Sequence, residues 1–548
     1  MTPVVPDLTA VGALGRYFLI PVLAVFLAAP LAAEGIDVTA KVQPVPEAPS
    51  LVRKGEALEL TLNGAVEIAL ERNLGLVLQR YDFAQTLQRE IQEAAIYDLN
   101  ISATGRVSES SEPSTSTLDG ADVVVTERTI FNFGLSRLTP FGGVASVNWN
   151  NARVANNNAF ASQSPSFSST AILTFTQPLL RNFGRKTTER GILLASKNTA
   201  TSREAFELQV IDTLRQVDNA YWELVRARKQ LEVSQQSLDL AKELHERNRI
   251  RVEVGTLAPF ELVQSEAGIA QREGDIIRNQ AAVGDAEDSL RRLLNLDQGA
   301  VWDLEILPVT EAMVDEMDID LKGALRTALE ERPEIQQQQL ELDRLKIDAE
   351  FFGNQKRPSL DLELSYNSPG VDGRLFGRDP VTDLPDRDIV VRDGTFSDAF
   401  SAVFDREADG WSVELTFGMP LQNRSAKALS AIADLAHEQG QITMTDLELQ
   451  VSTEVRSAVR QVEAAAREVD AARASRRAQE KSLEAERKRF ENGMSTSFQV
   501  LQIQEDLAEA QSTEVRAVTN FRSRLVDYYL SLGTLLEERG IRVLVPED

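Results

Sequence analysis

The chain has 548 residues, no cysteine, two histidines (His245 and His437) and a formal net charge of −26. The missing thiols exclude disulfides, zinc–thiolate centres and cysteine nucleophiles, and two isolated imidazoles leave a triad or a metal cluster without its converging partners. The acidity argues against a nucleic-acid partner, because phosphate contact requires a basic surface; it suits solubility or a field that favours cations.

In chain order, Arg16 precedes the apolar run YFLIPVLAVFLAAPLAA (Tyr17–Ala33), which ends in small residues. This reads as a secretory signal peptide, 1–33, cleaved after Ala33, and it is short for a membrane span. No lipobox cysteine follows, and no other run of about 18 apolar residues exists, so no helical membrane span is expected. After an N-terminal extended segment (34–58), NGAVEIALERN (Asn63–Asn73) recurs as KGALRTALEER (Lys322–Arg332). Self-similarity of this kind divides the chain into two tandem copies, 59–300 and 316–537, with a linker (301–315) and a tail (538–548).

Each copy is expected to run helix, strand, loop, strand, then long helices. Alternation places strands at about 98–110 and 168–178 in copy one, and at about 358–367 and 410–420 in copy two. In SLDLELSY the residues Leu360, Leu362, Leu364 and Tyr366 face one way, while Asp361, Glu363 and Ser365 face the other. Such strands suit either a half-buried sandwich or a transmembrane barrel with lipid outside and water inside. Four strands cannot close a barrel alone, since small barrels need about eight, so a barrel requires several chains. Trp149, Phe131, Phe133 and Tyr366 are candidates for an aromatic girdle. Thr129–Asn151 is an additional alternating hairpin turning at Pro140–Gly143, either an extension of the barrel strands beyond the membrane or a separate hairpin, and Pro369–Asp388 reads as a flexible loop rich in Gly, Pro and Asp.

The strand exits LTFTQPLLRNFG (Leu173–Gly184) and LTFGMPLQNR (Leu415–Arg424) match at an offset of 242, and Pro178 and Pro420 mark the two strand-to-helix junctions. Proline cannot donate to a strand ladder, so it ends pairing and lets the backbone turn. Beyond the junctions, Val210, Val217, Leu224, Leu231 and Leu238 recur every seven residues, and the next step falls on His245. The seam resumes at Leu262, Ile269, Ile276, Val283 and Leu290. Copy two repeats it at Val455, Val462, Val469, Leu483 and Phe490, then at Val500, Leu507, Phe521 and Tyr528, with Arg476 and Glu514 as interruptions. A period of 3.5 predicts coiled-coil packing, and about 65 residues of helix would span about 100 Å. His245 is expected as a packed seam residue and His437 on a solvated helix face.

Helix tips fall at about 250–261 and 490–499. Gly255 and Gly493 stop the incoming helices, Thr256 and Ser497 are candidate caps of the outgoing ones, and Pro259 suits a first turn.

Taken together, the signal peptide, the duplicated unit, the exit LTFTQPL and the tip VGTLAPFELVQSE resemble the TolC family of outer-membrane channel proteins, over roughly Leu58–Leu536. The resemblance implies a mainly α fold with β: a long coiled-coil helical barrel below a transmembrane antiparallel β-barrel, shared by a homotrimer with four strands per chain. It implies an outer membrane location extending into the periplasm of a Gram-negative bacterium. A periplasmic adaptor and an inner-membrane pump would be partners, and the channel would be a passive conduit for small molecules or type I secretion. The gate positions it carries over are Glu261 in the first tip, and Gln499, Gln502, Phe490 and Ser495 in the second. The last four depart from the family, which has acids at 499 and 502, tyrosine at 490 and arginine at 495. The usual latch therefore cannot form, and other contacts must hold the closed state. The tip turns Gly255, Thr256, Leu257, Gly493 and Met494 are the expected adaptor contacts.

No nucleophile–base pair, metal cluster or phosphate loop is apparent, so no catalytic, metal or cofactor residue is expected. The competing reading is a secreted or periplasmic coiled-coil scaffold whose sheet serves only assembly.

Overall fold

The computed structural model describes residues 41–43, 52–54, 57–115, 119–296, 302, 304–314, 319–381, 384–406 and 408–544. The expected signal peptide lies outside them. The first half supplies β1 (Lys41–Gln43), β2 (Val52–Lys54), β3 (Ala57–Leu60), α1 (Leu62–Arg72), α2 (Leu74–Ala94), β4 (Asn100–Pro113), β5 (Val123–Leu138), β6 (Val144–Asn156), β7 (Gln163–Pro178), α3 (Arg185–Thr188), α4 (Arg190–Glu253) and α5 (Phe260–Leu294). After β8 (Glu305–Pro308) come α6 (Leu321–Glu331), α7 (Pro333–Gln355), β9 (Ser359–Arg378), β10 (Pro385–Asp393), α8 (Phe396–Asp405), β11 (Gly410–Gly418), α9 (Arg424–Glu491), α10 (Ser497–Leu532), α11 (Leu535–Glu538) and β12 (Arg542–Leu544).

These elements form two compact units, and each draws on both copies. The first comprises Gln88–Lys197 and Asp343–Glu438 and holds one antiparallel sheet in the order β10-β9-β7-β6-β5-β4, with β11 also on β9. The sheet is six strands wide, because β11 and β10 occupy successive stretches of one β9 edge. The four expected strands are present as β4, β7, β9 and β11. The count per chain is larger than four, however, because the Thr129–Asn151 hairpin is neither separate nor an extension. Its strands β5 and β6 pair along their whole length and insert between β4 and β7. Its turn is closed by Thr139 N donating to Gly143 O at 2.7 Å, and Gly184 N donates to Phe141 O at 3.3 Å. Gly142 has φ +88, and a Cβ there would meet Asn182 O at 2.6 Å, so only glycine fits. The expected flexible loop at 369–388 is largely strand: β9 continues to Arg378 and β10 starts at Pro385. Backbone pairing with β7 on one side and β10 on the other recruits its glycines.

Residues paired across a sheet share a face, so the register sorts the side chains. Ile101, Ala103, Leu135, Phe133, Val147, Trp149, Leu173, Phe175, Leu364, Leu362, Val413 and Leu415 lie on one face. The other carries Thr104, Asn132, Asn150, Thr170, Ser365 and Ser412, with Glu363 directly opposite Glu414. The apolar face is not buried: Val107 is 82% and Leu415 61% exposed.

The second unit comprises Asp37–Leu87, Asn198–Leu342 and Gln439–Asp548. Its repeated helices start by the same device. Thr61 Oγ1 accepts from Gly64 N at 3.0 Å, and the Asp320 carboxylate accepts from Lys322 N and Gly323 N at 3.0 Å. A Cβ at Gly323 would meet Asp320 Oδ2 at 2.8 Å, which explains the glycine. The expected linker contains β8, which pairs parallel with β3, and β12 in the tail pairs with β1. The heptad residues are the core: Val210, Val217, Leu224, Val455 and Val469 are fully buried. Each such side chain contributes on the order of 2 kcal/mol. The interruptions in copy two answer each other, because Arg476 is ion-paired with Glu514. His245 is half-buried on the seam with Nδ1 2.8 Å from Ser265 Oγ, while His437 is half-buried on α9 rather than solvated.

Candidate functional site

Both helix tips lie in the second unit. α4 and α9 end in the same motif: Thr256 N donates to Arg251 O at 2.8 Å and Met494 N to Arg489 O at 2.9 Å, with Gly255 at φ +77 and Gly493 at φ +74. These bonds satisfy the last carbonyls, and the left-handed backbone requires glycine. The outgoing helices differ from expectation. Thr256 closes the helix behind it, its hydroxyl also donating to Arg251 O at 3.0 Å, and Pro259 is the cap residue of α5. Thr496, not Ser497, caps α10 by accepting from Gln499 N at 3.3 Å. Ser497 is unavailable because its hydroxyl donates to Glu261 Oε2 across the two tips.

That bond is one of a set joining the copies. Arg251 Nη1 donates to Phe490 O at 3.1 Å while its guanidinium lies 4.8 Å from the Phe490 ring centre. Arg247 donates to Glu491 at 3.0 Å, and Arg487 to Glu243 at 3.2 Å. Ser495 donates to Glu486, which holds that carboxyl below the usual carboxylate range. Phe490 is buried in an apolar cluster with Leu244, Leu483, Val500, Leu501 and Leu507. The structure thus brings Glu261, Phe490, Ser495 and Gln499 into bonded contact with the neighbouring tip or helix turn. Gln502 is exposed and reaches Asp506 at 3.3 Å. Sequence reasoning missed Arg247, Arg251 and Asp506; an arginine one turn before each helix-stopping glycine was the available signal. Beneath the tip, Asn248 is fully buried, and neither of its amide atoms has a hydrogen-bond partner among the described residues.

At the junctions, Pro178 is the last residue of β7 and pairs with Asp361, yet Leu179 N still donates to Leu360 O at 2.7 Å and Arg181 N to Pro358 O at 3.2 Å. Proline ends the strand, but two later donors still reach the segment opposite. Pro420 lies two residues past β11, before Asn423, whose amide donates to Lys356 O at 2.9 Å. Among the described residues no group of acidic and imidazole side chains could hold a metal, and no helix is long and apolar enough to cross a membrane.

A wide sheet with one exposed apolar face, in the same chain as paired coiled-coil hairpins, suits a β-sheet membrane protein with a helical extension. The chain belongs to the outer membrane efflux protein family, whose model matches residues 140–296 and 324–534. It is therefore an outer-membrane protein of the efflux class, as the TolC-like resemblance implied. Solved structures with this fold include the outer membrane protein VceC of Vibrio cholerae, at 16% identity and TM-score 0.59, covering 86% of this chain and 96% of that one. The CmeC outer membrane channel of Campylobacter jejuni matches at 16% and 0.61, covering 93% and 94%. The MtrE channel of Neisseria gonorrhoeae, solved in its open state, matches at 16% and 0.59, covering 93% and 98%. No curated protein matches the chain by sequence.

Proposed function

We propose that three copies of this chain close a passive exit duct from the periplasm through the outer membrane, gated at the helix tips. The observation that carries this reading is the exposed apolar sheet face backed by a polar one, with β4 at one edge and β11 and β10 at the other each paired on one side only among the described residues. Open edges of this kind invite strand addition, and pairing the β11 edge of one copy with β4 of the next would close the wall. Asp361, Glu363 and Glu414 then gather on the water-filled side, where their field favours cations. The gate combines the Glu261–Ser497 bond with the Arg251–Phe490 clasp, in place of the family latch that Phe490 and Ser495 cannot make. Glu261 would ring the entrance, with Gln499 and Gln502 as neutral polar neighbours. The turns at Gly255, Thr256, Leu257, Gly493 and Met494 are the adaptor-docking surface, supported by exposed Val254, Phe260, Met494 and Phe498 beside them. An inner-membrane pump behind the adaptor would supply the cargo, with small molecules as the first class and secreted polypeptides as the second.

The test is reconstitution of the mature chain. It should require detergent, run as a trimer in native mass measurements and conduct ions in planar bilayers. A freely soluble, non-conducting protein would instead establish the scaffold reading.

A further inference from the structure

The wall carries a feature that a plain duct does not need. Between β10 and β11 the chain forms α8, FSDAFSAVFD, which packs flat on β9 and β7. Its first turn is fixed by the Asp398 carboxylate, which accepts from Thr395 N at 2.8 Å, and Arg406 at φ +58 ends it. Ala399 and Val403 are buried against the sheet, and Ser368 Oγ donates to Val403 O at 2.6 Å. Close approach depends on Gly370, where a Cβ would sit 2.1 Å from Ala399 O.

The face α8 covers is the apolar one. Gly370 pairs with Ser169 and Ser169 with Asn151, while Trp149 two residues away stacks on Phe400 at 5.0 Å; Phe131 meets Phe396 at 5.1 Å. Along β9 that face reads Leu360, Leu362, Leu364 and Tyr366, then turns to Ser368, Gly370 and Asp372. Eight residues from Leu360 to Ser368 rise about 26 Å along the strand, or about 20 Å of height at the usual tilt, against an apolar band about 25 Å tall. The strand runs out of apolar side chains several ångströms early. α8, about 10 Å thick, lies over that polar stretch and presents Phe400 and Phe404, 41% and 62% exposed, with Ser397, Ser401 and Asp405 on its outer side.

Resting on the reading of the sheet as a membrane wall, we propose that α8 is an interfacial helix on the lipid side of the wall. It seats at the acyl-chain–headgroup boundary of the outer leaflet, with its phenylalanines completing the apolar band and its serines and acids meeting headgroups. Because the chain lacks cysteine, one introduced thiol is a unique label site. Spin-labelled Phe404→Cys, Ser397→Cys, Leu415→Cys and Thr416→Cys would each be reconstituted in phosphatidylethanolamine–phosphatidylglycerol vesicles, and relaxation by dissolved oxygen compared with that by an aqueous nickel chelate. The expected result is that oxygen dominates at 404 and 415 and nickel at 397 and 416. Gly370→Val should lift α8, turning the 404 label towards nickel while 415 keeps its oxygen signature. Nickel dominance at 404 with oxygen dominance at 415 overturns the helix assignment alone. Nickel dominance at both overturns the wall reading and this inference with it.

Discussion

Asp218 on α4 is fully buried and ion-paired with Arg539, 321 residues away, and its second carboxylate oxygen has no hydrogen-bond partner among the described residues. Burial pushes its carboxyl above the ordinary aspartate range, and Arg539 and Arg522 oppose that rise. Removing one partner of a buried pair strands the other charge, so Arg539→Ala should cost about 3–5 kcal/mol in denaturant unfolding. The folded state holds the Asp218 proton more tightly than the unfolded chain does. Its contribution is therefore complete below the ordinary aspartate value and lost as pH rises through the raised one. The cost of Arg539→Ala should accordingly shrink in acid; equal costs in acid and at neutral pH would remove Asp218 as the cause. None of this was legible in the sequence, where Asp218 is one of many acids on a polar helix. The same holds for Ser497, whose spacing suits a cap while its hydroxyl bonds Glu261 instead.

At the scale of elements, the seam was readable because burial at every seventh position is a strictly local signature. Val210, Val217 and Leu224 are fully buried where the heptad places them. Arg476 and Glu514 looked like faults in that seam because their pairing joins two helices, α9 and α10, and no single-helix period can express it. The tip clasp is a similar cross-element contact. Arg251 supplies a charge-assisted bond and a ring contact, together on the order of 2 kcal/mol in a partly hydrated setting. Arg251→Ala should raise the open fraction of single channels in planar bilayers, and an unaltered closed state would take Arg251 out of the gate. Glu261→Gln should lower cation-over-anion selectivity, which fails as an assignment if the ratio stays put. The strands were located correctly, yet alternation says nothing about which strands become neighbours. Thr129–Asn151 was therefore recognisable as a hairpin but not as part of the wall.

For the whole molecule, the tandem duplication was the most legible property, since Gly64 and Gly323 sit under equivalent capping side chains and Gly255 and Gly493 end equivalent helices. What duplication concealed is asymmetry: copy one places four strands side by side in the sheet, β4 to β7, while copy two adds β9 and an edge shared by β10 and β11. In the proposed trimer, three chains so built would close eighteen strands, against twelve for the expected four strands per chain. Top views of detergent-purified particles should show a ring about one and a half times the diameter of a twelve-stranded one, because diameter grows roughly linearly with strand number. A twelve-strand diameter would mean that β5 and β6 leave the wall on assembly.

The inserted β5–β6 hairpin has a consequence for traffic. In the proposed trimer, half again the circumference would enclose more than twice the open area, so the outer mouth would offer little electrical or frictional resistance and would not sieve solutes by size. Selection and rate then fall to the narrowest point elsewhere along the route, and bulky extracellular agents would meet no barrier until they reached it.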